Sequence, residues 1–173
     1  VSRVIDGSTS LAERSGVPLR LHSEGEPRLL YADSRRIDRV IRNLVGNAIE
    51  HGNDRGVDVT IGSNQEAAAV TVRDYGVGLR PGEASLVFNR FWRADPARAR
   101  TTGGSGLGLA IALEDARLHG GWLEAWGEPG TGACFRLTLP LNVRGTFISS
   151  PLDLYPDDSA PASRSPIENV EVR

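Results

Sequence analysis

The sequence contains no lysine, no methionine and a single cysteine, Cys134. One cysteine excludes an intrachain disulfide, and its setting among strand-forming residues predicts a buried apolar side chain. The net charge of -2 gives no general attraction to nucleic acid or to an anionic membrane. No apolar run approaches the roughly 20 residues that a membrane span needs. Because there is no initial methionine, we expect the chain to be part of a longer protein.

The organisation along the chain suits one domain with one core and a tail. Residues 1–16 are interpreted as the end of a helix that belongs to an upstream linker or dimerisation region. Residues 17–141 carry the strand and helix patterns of the domain itself. Residues 142–173 are rich in Pro, Ser and Asp, which predicts a largely disordered tail whose removal changes the stability little.

Periodicity and capping signals predict the elements of the domain. Ser34 to His51 has the period of an amphipathic helix, with Asp33 or Ser34 to cap it and Gly52 to end it. Residues 76–104 form a long loop, which is usually functional or mobile. The other predicted elements are strands or extended segments at 17–25, 28–33, 57–64, 68–75, 122–128 and 133–140, and a helix at 107–119.

Two asparagines stand out in the first full helix. Asn43 and Asn47 are four residues apart and therefore lie on one face, beside the apolar stripe. They are either solvated polar residues or ligands for a hard cation, since amide oxygens suit Mg²⁺. Asp74 follows the next strand pair in the string RDYGVGL, where it is either a turn residue or a carboxylate that accepts from a base such as adenine. Gly76 and Gly78 would let a ligand approach the backbone closely.

Two segments of the long loop carry further signals. In LVFNRFWRADPARAR, residues 86–100, aromatic side chains (Phe88, Phe91 and Trp92) would anchor the loop while arginines reach phosphate oxygens, although the same composition could bind RNA. In TTGGSGLGLAI, residues 101–111, the glycines are either a flexible loop or a cradle of backbone amides for phosphate.

The order of these motifs is more specific than any one of them. NLVGNAIEHG, DYGVGL, FNRFWRAD and GGSGLGLAI resemble the N box, first glycine box, F box and second glycine box of two-component sensor histidine kinases. The resemblance covers about residues 17–141, the catalytic ATP-binding domain, and within the family several stretches are similar to the MtrB-type kinases of actinobacteria. It implies an α/β fold, a two-layer sandwich of the Bergerat (GHKL) type, with a mixed sheet, helices on one face and a long ATP lid at 76–104.

The resemblance also implies roles for particular residues. Asn47, with Asn43, would handle Mg²⁺ and the phosphates of ATP, and Asp74 would bind the adenine amino group. Glu50 departs from the lysine that many members have, which puts one phosphate contact in doubt. The remaining implied nucleotide-binding residues are His51, Gly76, Gly78, Arg90, Arg93, Gly104, Ser105, Gly106, Leu107 and Gly108.

The residue at position 43 bears on the type of reaction. Related ATPases and serine kinases resemble one another in placing a general-base glutamate there, whereas the amide of Asn43 cannot take a proton. A histidine acceptor needs less activation, so the sequence favours phosphoryl transfer to histidine. The alternatives are a nucleotide-binding regulatory module without transfer activity, or a GHKL-type ATPase or serine kinase.

The acceptor histidine is expected elsewhere in the protein. None of His22, His51 and His119 has the helical His-Glu/Asp setting of the family's phosphoacceptor, and His119 ends a helix where a positive ring would suit the dipole. The resemblance implies an upstream histidine-containing dimerisation domain, a homodimeric full-length protein and an MtrA-like response regulator, with no nucleic-acid partner. It also implies a cytoplasmic domain of a protein anchored in the cell membrane.

Overall fold

The computed structural model describes residues 1–52, 55–94, 105–142 and 145–155, which hold three α-helices and five strands. The described helices are α1 (Ser2–Arg14), α2 (Ser34–His51) and α3 (Gly108–Leu118). The described strands are β1 (Leu19–Glu24), β2 (Val57–Ser63), β3 (Ala67–Asp74), β4 (Trp122–Glu128) and β5 (Gly132–Pro140). A 3-10 turn spans Glu83–Ser85. Within this described part, every helix is too short or too polar to cross a membrane.

The five described strands form one mixed sheet in the order β1-β2-β3-β5-β4. β1 runs parallel to β2, and the other neighbours are antiparallel. Val59 pairs with Val72, which pairs with Phe135, so that these three side chains share one face and enter the core with residues of all three helices. The predicted mixed sheet with helices on one face is therefore confirmed, although the segment 28–33 is not a strand.

The predicted helix at 34–51 has the expected bounds and cap. The carboxylate of Asp33 accepts hydrogen bonds from the backbone N–H groups of Arg35 (3.0 Å) and Arg36 (3.3 Å). The apolar stripe of α2 is buried against the sheet. Asp115 of α3, itself buried, accepts from Arg36 and Arg39, which fixes α3 beside α2.

His119 joins the end of α3 to the start of α2. Its Nδ1 donates to the carbonyl of Asp115 (2.7 Å), and its Nε2 accepts from the backbone N–H of Asp33 (3.1 Å). A ring nitrogen that accepts a hydrogen bond carries no proton, so the imidazole is neutral in this arrangement. The contact with Asp33 thus uses the neutral form of the ring, whereas the dipole of α3 favours the positive form that the sequence suggested.

The sheet face opposite the helices, here called the open face, is covered by residues 145–155. Phe147 packs on Trp122 with ring centroids 4.3 Å apart, and Leu152 packs over Gly62. Arg136 donates to the carbonyl of Leu152 (2.6 Å). Phe147 and Leu152 are 8% and 6% exposed.

Residues 145–155 pack on the sheet, so the prediction of a disordered tail is wrong for them. Prolines and polar residues dominate residues 142–173 taken as a whole, and their composition therefore predicts little burial. However, a segment needs few apolar side chains to dock when a partly apolar sheet face lies uncovered beside it. Residues 156–173 lie outside the described part of the chain, so the prediction for them is not addressed.

We predict that Leu152→Ala lowers the free energy of unfolding by about 2–3 kcal/mol, because it removes a buried side chain from the open face. Ile148→Ala is the matched control, since Ile148 lies in the same segment and is 89% exposed. The control should change stability by less than about 0.5 kcal/mol. Urea unfolding of both variants measures the difference, and equal stabilities would show that the segment is not held by Leu152.

Candidate nucleotide-binding site

The sheet register places the Asp74 side chain on the helix-covered face at the end of β3. Asp74 lies opposite Val57, a core residue, and is only 2% exposed. Its Oδ1 accepts from the backbone N–H groups of Gly76 (2.9 Å) and Ala133 (3.3 Å). The pKa of Asp74 is raised above its ordinary value, because the effect of burial is larger than the opposing effect of these amide hydrogen bonds. Among the described residues nothing donates to Oδ2, which is therefore available to a ligand.

The two glycines of the predicted first glycine box allow a close approach of the protein's own backbone. A Cβ at Gly76 would collide with the carbonyl oxygen of His51, and one at Gly78 with the carbonyl oxygen of Glu128. Gly78 also has a φ of 70°, which side-chain-bearing residues rarely adopt. The space that a side chain would occupy at these two glycines is taken up by the end of α2 and the end of β4, and their predicted contact with a ligand stays a prediction.

Asn43 connects α2 to the start of α3. Its Nδ2 donates to the carbonyl of Gly108 at 2.9 Å, and a carbonyl can only accept, which fixes the orientation of the amide. One end of the Asn43 amide is thus used inside the protein, and only Oδ1 remains for a metal ion. The predicted Mg²⁺ role of Asn43 stays a prediction, beside this structural role.

Asn47 and His51 follow Asn43 along the same side of α2. Asn47 is half-buried, and its side chain makes no hydrogen bond to any residue in the described ranges. His51 is the last residue of α2, is half-buried, and lies near enough to Asp74 to interact with its charge. His51 and Asp74 therefore lie at one end of the helix-covered face, with Asn47 one turn of α2 before His51, and the predicted nucleotide contacts of all three stay predictions.

The aromatic anchors of the long loop are two rather than three. Phe88 packs edge-on against Phe135 with ring centroids 6.3 Å apart, and Trp92 packs on the core. Phe91, predicted as a third anchor, is 72% exposed. Its φ of 64° turns the side chain outward, while its N–H donates to the carbonyl of Gly106 at 2.9 Å.

The two predicted phosphate-binding arginines are placed differently. Arg90 is exposed and lines a cavity of about 470 Å³ with Arg36 and Arg39 of α2 and with residues of α3. Arg93 is half-buried beside Trp92. The predicted contacts of both arginines with phosphate stay predictions.

The predicted second glycine box leads directly into α3. Gly106 has a φ of 67° and lies against Phe91, and Ser105 Oγ accepts weakly from Leu107 N–H at 3.4 Å. Leu107, the N-cap residue of α3, provides no side-chain hydrogen bond to the helix. Within the part of the chain that the structure describes, the first N–H groups of α3 from Gly108 onward therefore lack a side-chain cap and suit an anion. Gly104 lies outside the described residues.

The region offers few ligands that could hold a metal without help from a substrate. No group of three or more His, Cys, Asp or Glu side chains is assembled within the described ranges. The amides of Asn47 and Asn43 could contribute oxygen atoms, and Mg²⁺ accepts such ligands together with water and phosphate oxygens. The residues present therefore fit Mg²⁺ that arrives with a nucleotide.

One part of the site was not predicted from the sequence. The turn after β4 brings Gly132 against the carbonyl of Asp74 and supplies the N–H of Ala133 to its carboxylate. The letters PGTG predict a turn there, but nothing in them indicates which strand end the turn contacts. Gly132, with a φ of 100° and a backbone carbonyl beside its Cα, admits no side chain.

Comparison with known families agrees with this geometry. Residues 32–143 match the family described as histidine kinase-, DNA gyrase B- and HSP90-like ATPase. The sensor histidine kinase MtrB of Mycolicibacterium paratuberculosis is 57% identical over 147 residues, which is 84% of this chain and 26% of that protein. MtrB of Mycobacterium tuberculosis is 54% identical over 157 residues, 90% of this chain and 28% of that protein. The chain thus spans about a quarter of the length of these relatives.

Solved structures show the same fold. The catalytic domain of the histidine kinase ThkA is 23% identical and superposes with a TM-score of 0.71 over 82% of this chain and 90% of that one. Full-length ShkA in complex with AMPPNP is 26% identical, with a TM-score of 0.71 over 87% of this chain and 30% of that one. The mycobacterial sensor histidine kinase MprB is 28% identical, with a TM-score of 0.63 over 87% of this chain and 95% of that one.

We predict that Asn43→Asp lowers the stability of the nucleotide-free protein by about 1–3 kcal/mol. The substitution replaces the donor to Gly108 by a carboxylate oxygen that faces a carbonyl. Asn47→Asp is the matched control one helical turn away, and it should change stability by less than about 0.5 kcal/mol. Urea unfolding without nucleotide tests the pair, and equal effects would show that the Asn43 contact does not hold α3.

Proposed function

The chain belongs to the histidine kinase-, DNA gyrase B- and HSP90-like ATPases and is a catalytic domain of the sensor histidine kinase type, and we propose the following role for it in the whole protein. The domain binds Mg-ATP between α2 and the loop that follows β3, and the γ-phosphoryl group passes to a histidine of an upstream dimerisation domain. A response regulator, MtrA-like by resemblance, then receives the phosphoryl group.

The observation that carries this proposal is the buried carboxylate of Asp74. Its Oδ1 is held by two backbone amides, while Oδ2 has no partner among the described residues. A carboxylate held in this way is an acceptor of fixed direction, which suits the exocyclic amine of adenine. We place the adenine ring against Asp74 and the backbone of Gly76, near His51.

The phosphates would extend from Asp74 toward the start of α3. Asn47 offers an amide without a partner in the described ranges, and the N-terminus of α3 offers uncapped N–H groups. Mg²⁺ bound with ATP neutralises phosphate charge and holds the phosphoryl group for transfer. Asn47 and Oδ1 of Asn43 would hold the Mg²⁺ ion. Further candidates for phosphate contacts are Arg90, Arg93 and Gly104.

The contact of Asn43 favours a kinase over a hydrolase. An amide cannot accept a proton from water, and its nitrogen is occupied by Gly108. A histidine acceptor is nucleophilic when neutral, so the reaction needs positioning more than a base. We therefore propose that bound ATP waits for the acceptor histidine and is not hydrolysed quickly by this domain.

The whole protein would place this domain beside its acceptor. We propose that it is a homodimer anchored in the cell membrane, with this domain on the cytoplasmic side. The described part of the chain has no acceptor setting, since His22 lies in β1, His51 ends α2 and His119 follows α3. The acceptor histidine would then come from the segment upstream of Val1.

We predict that Asp74→Asn lowers the affinity for ATP by about tenfold and the affinity for GTP much less. The amide nitrogen would present a donor to the adenine amine, and a mismatched buried polar pair costs about 1–3 kcal/mol. Calorimetric titration of each nucleotide with Mg²⁺ measures the ratio of affinities. If the preference for ATP over GTP is unchanged, Asp74 is a turn residue and does not bind adenine.

We predict that the chain alone with Mg-ATP becomes neither phosphorylated nor an active hydrolase. Addition of the separate upstream histidine segment should give slow labelling, because the encounter becomes bimolecular. Acid-labile phosphate on that segment is the measurement, and the segment with its histidine replaced by Gln is the control. Turnover of ATP by the chain alone near about 1 s⁻¹ would favour the ATPase alternative.

A further inference from the structure

Arg73 is a buried cation that the proposed function does not use. It lies on the open face of the sheet, next to Asp74 in β3, and is only 6% exposed. One of its nitrogens, Nη2, donates to the carbonyl of Thr131 at 2.9 Å, whereas Nε and Nη1 are buried and have no hydrogen-bond partner in the described part of the chain. A buried guanidinium with unpaired nitrogens destabilises a fold, so its presence needs a specific reason.

Two aromatic rings hold the guanidinium of Arg73 in place. Its Cζ lies 4.9 Å from the ring centroid of Tyr75 and 4.9 Å from that of Trp126. Such cation–π contacts offset part of the cost of burial. Trp126 is in turn covered edge-on by Tyr155 of the segment 145–155, with ring centroids 6.3 Å apart. The side chain is therefore confined to one direction, toward Thr131.

Thr131 belongs to the turn between β4 and β5, and this turn supports the loop of the candidate adenine site. Gly130 N–H donates to the carbonyl of Val77 at 2.9 Å. The turn leads directly into β5, whose second residue, Ala133, donates to Oδ1 of Asp74 at 3.3 Å. A shift of Thr131 that carries the start of β5 with it would therefore move one of the two amides that orient the Asp74 carboxylate.

We infer that Arg73 is a positioning residue for base recognition: from the open face it holds Thr131, and thereby the start of β5, in the place where Ala133 orients the Asp74 carboxylate. This inference rests on the proposed function, in which Asp74 accepts from adenine. Because consecutive residues of a strand point to opposite faces, Arg73 acts on the site through Thr131 and does not touch the nucleotide.

A second arginine on the same face serves as a comparison. Arg136 of β5 also lies on the open face, but its guanidinium is paired with Glu124 (2.8 Å) and with the carbonyl of Leu152 (2.6 Å). Its contacts lead to β4 and to the segment 145–155 and do not reach the turn. Arg136 therefore contributes to the open face without contacting the support of Asp74.

The test compares Arg73→Gln with the control Arg136→Gln in the 173-residue chain. Calorimetry with Mg²⁺ measures the affinities of ATP, GTP and tripolyphosphate. Arg73→Gln should lower the ATP affinity about tenfold, within the range by which residues outside a site modulate it. The affinities for GTP and tripolyphosphate should stay within about twofold, and Arg136→Gln should leave all three near those of the parent.

A role confined to stability would give a different pattern. Arg73→Gln would then lower the melting temperature without an ATP-selective loss, and that result overturns the inference, as does an equal loss for all three ligands. Arg73→Lys keeps a cation that can donate to Thr131 and should restore most of the ATP affinity. If Arg73→Gln loses ATP affinity and Arg73→Lys does not restore it, the proposed role of the hydrogen bond to Thr131 is also contradicted.

Two further variants cover the case of a misfolded protein and separate this inference from the proposed adenine contact. If Arg73→Gln does not fold, Trp126→Leu removes one of the two rings over the guanidinium, and the same ATP-selective loss is required of it. Asp74→Asn is measured in parallel. If Asp74→Asn changes the ratio of ATP to GTP affinity and the Arg73 variants do not, only the inference about Arg73 fails. If Asp74→Asn leaves this ratio unchanged, the proposed adenine contact of Asp74 is itself wrong.

Discussion

Close packing of three backbone segments around Asp74 is the constraint on which the candidate site depends. Gly76 abuts the carbonyl of the last residue of α2, Gly78 abuts the carbonyl of the last residue of β4, and Gly132 abuts the carbonyl of Asp74 itself. A methyl group at any of these positions would push apart α2, the end of β3 and the β4–β5 hairpin. The carboxylate can be both buried and directed only because these segments approach so closely.

Local signals were sufficient to predict most elements of the fold. The bounds of α2 follow from its apolar period, from the Asp33 cap and from Gly52, and both antiparallel hairpins follow from short strand patterns. Motif order likewise predicts that β3 ends at Asp74 and that the helix carrying Asn47 ends at His51, and the structure has both ends there. These predictions succeed because each depends on residues within one element or one turn.

The features that the sequence did not predict are contacts between distant segments. The carbonyl beside Gly76 comes from α2, and the second amide on Asp74 comes from Ala133, far along the chain. Phe91 could not be identified as exposed, since its conformation is set by Gly106. The docking of residues 145–155 likewise depends on a sheet face that composition alone does not reveal.

The contact between Asn43 and Gly108 links the two parts of the proposed site that would handle opposite ends of a nucleotide. α2 carries the residues near Asp74, and α3 begins with N–H groups that no side chain of its N-cap residue satisfies. Since Asn43 fixes the start of α3 against the middle of α2, the uncapped amides keep a set distance from Asn47. A rigid connection of this kind suits phosphoryl transfer, in which the protein contributes mainly by positioning the phosphates. The amide at position 43 thus has a structural reason to be retained that is independent of any metal, and it is also a group that cannot activate water.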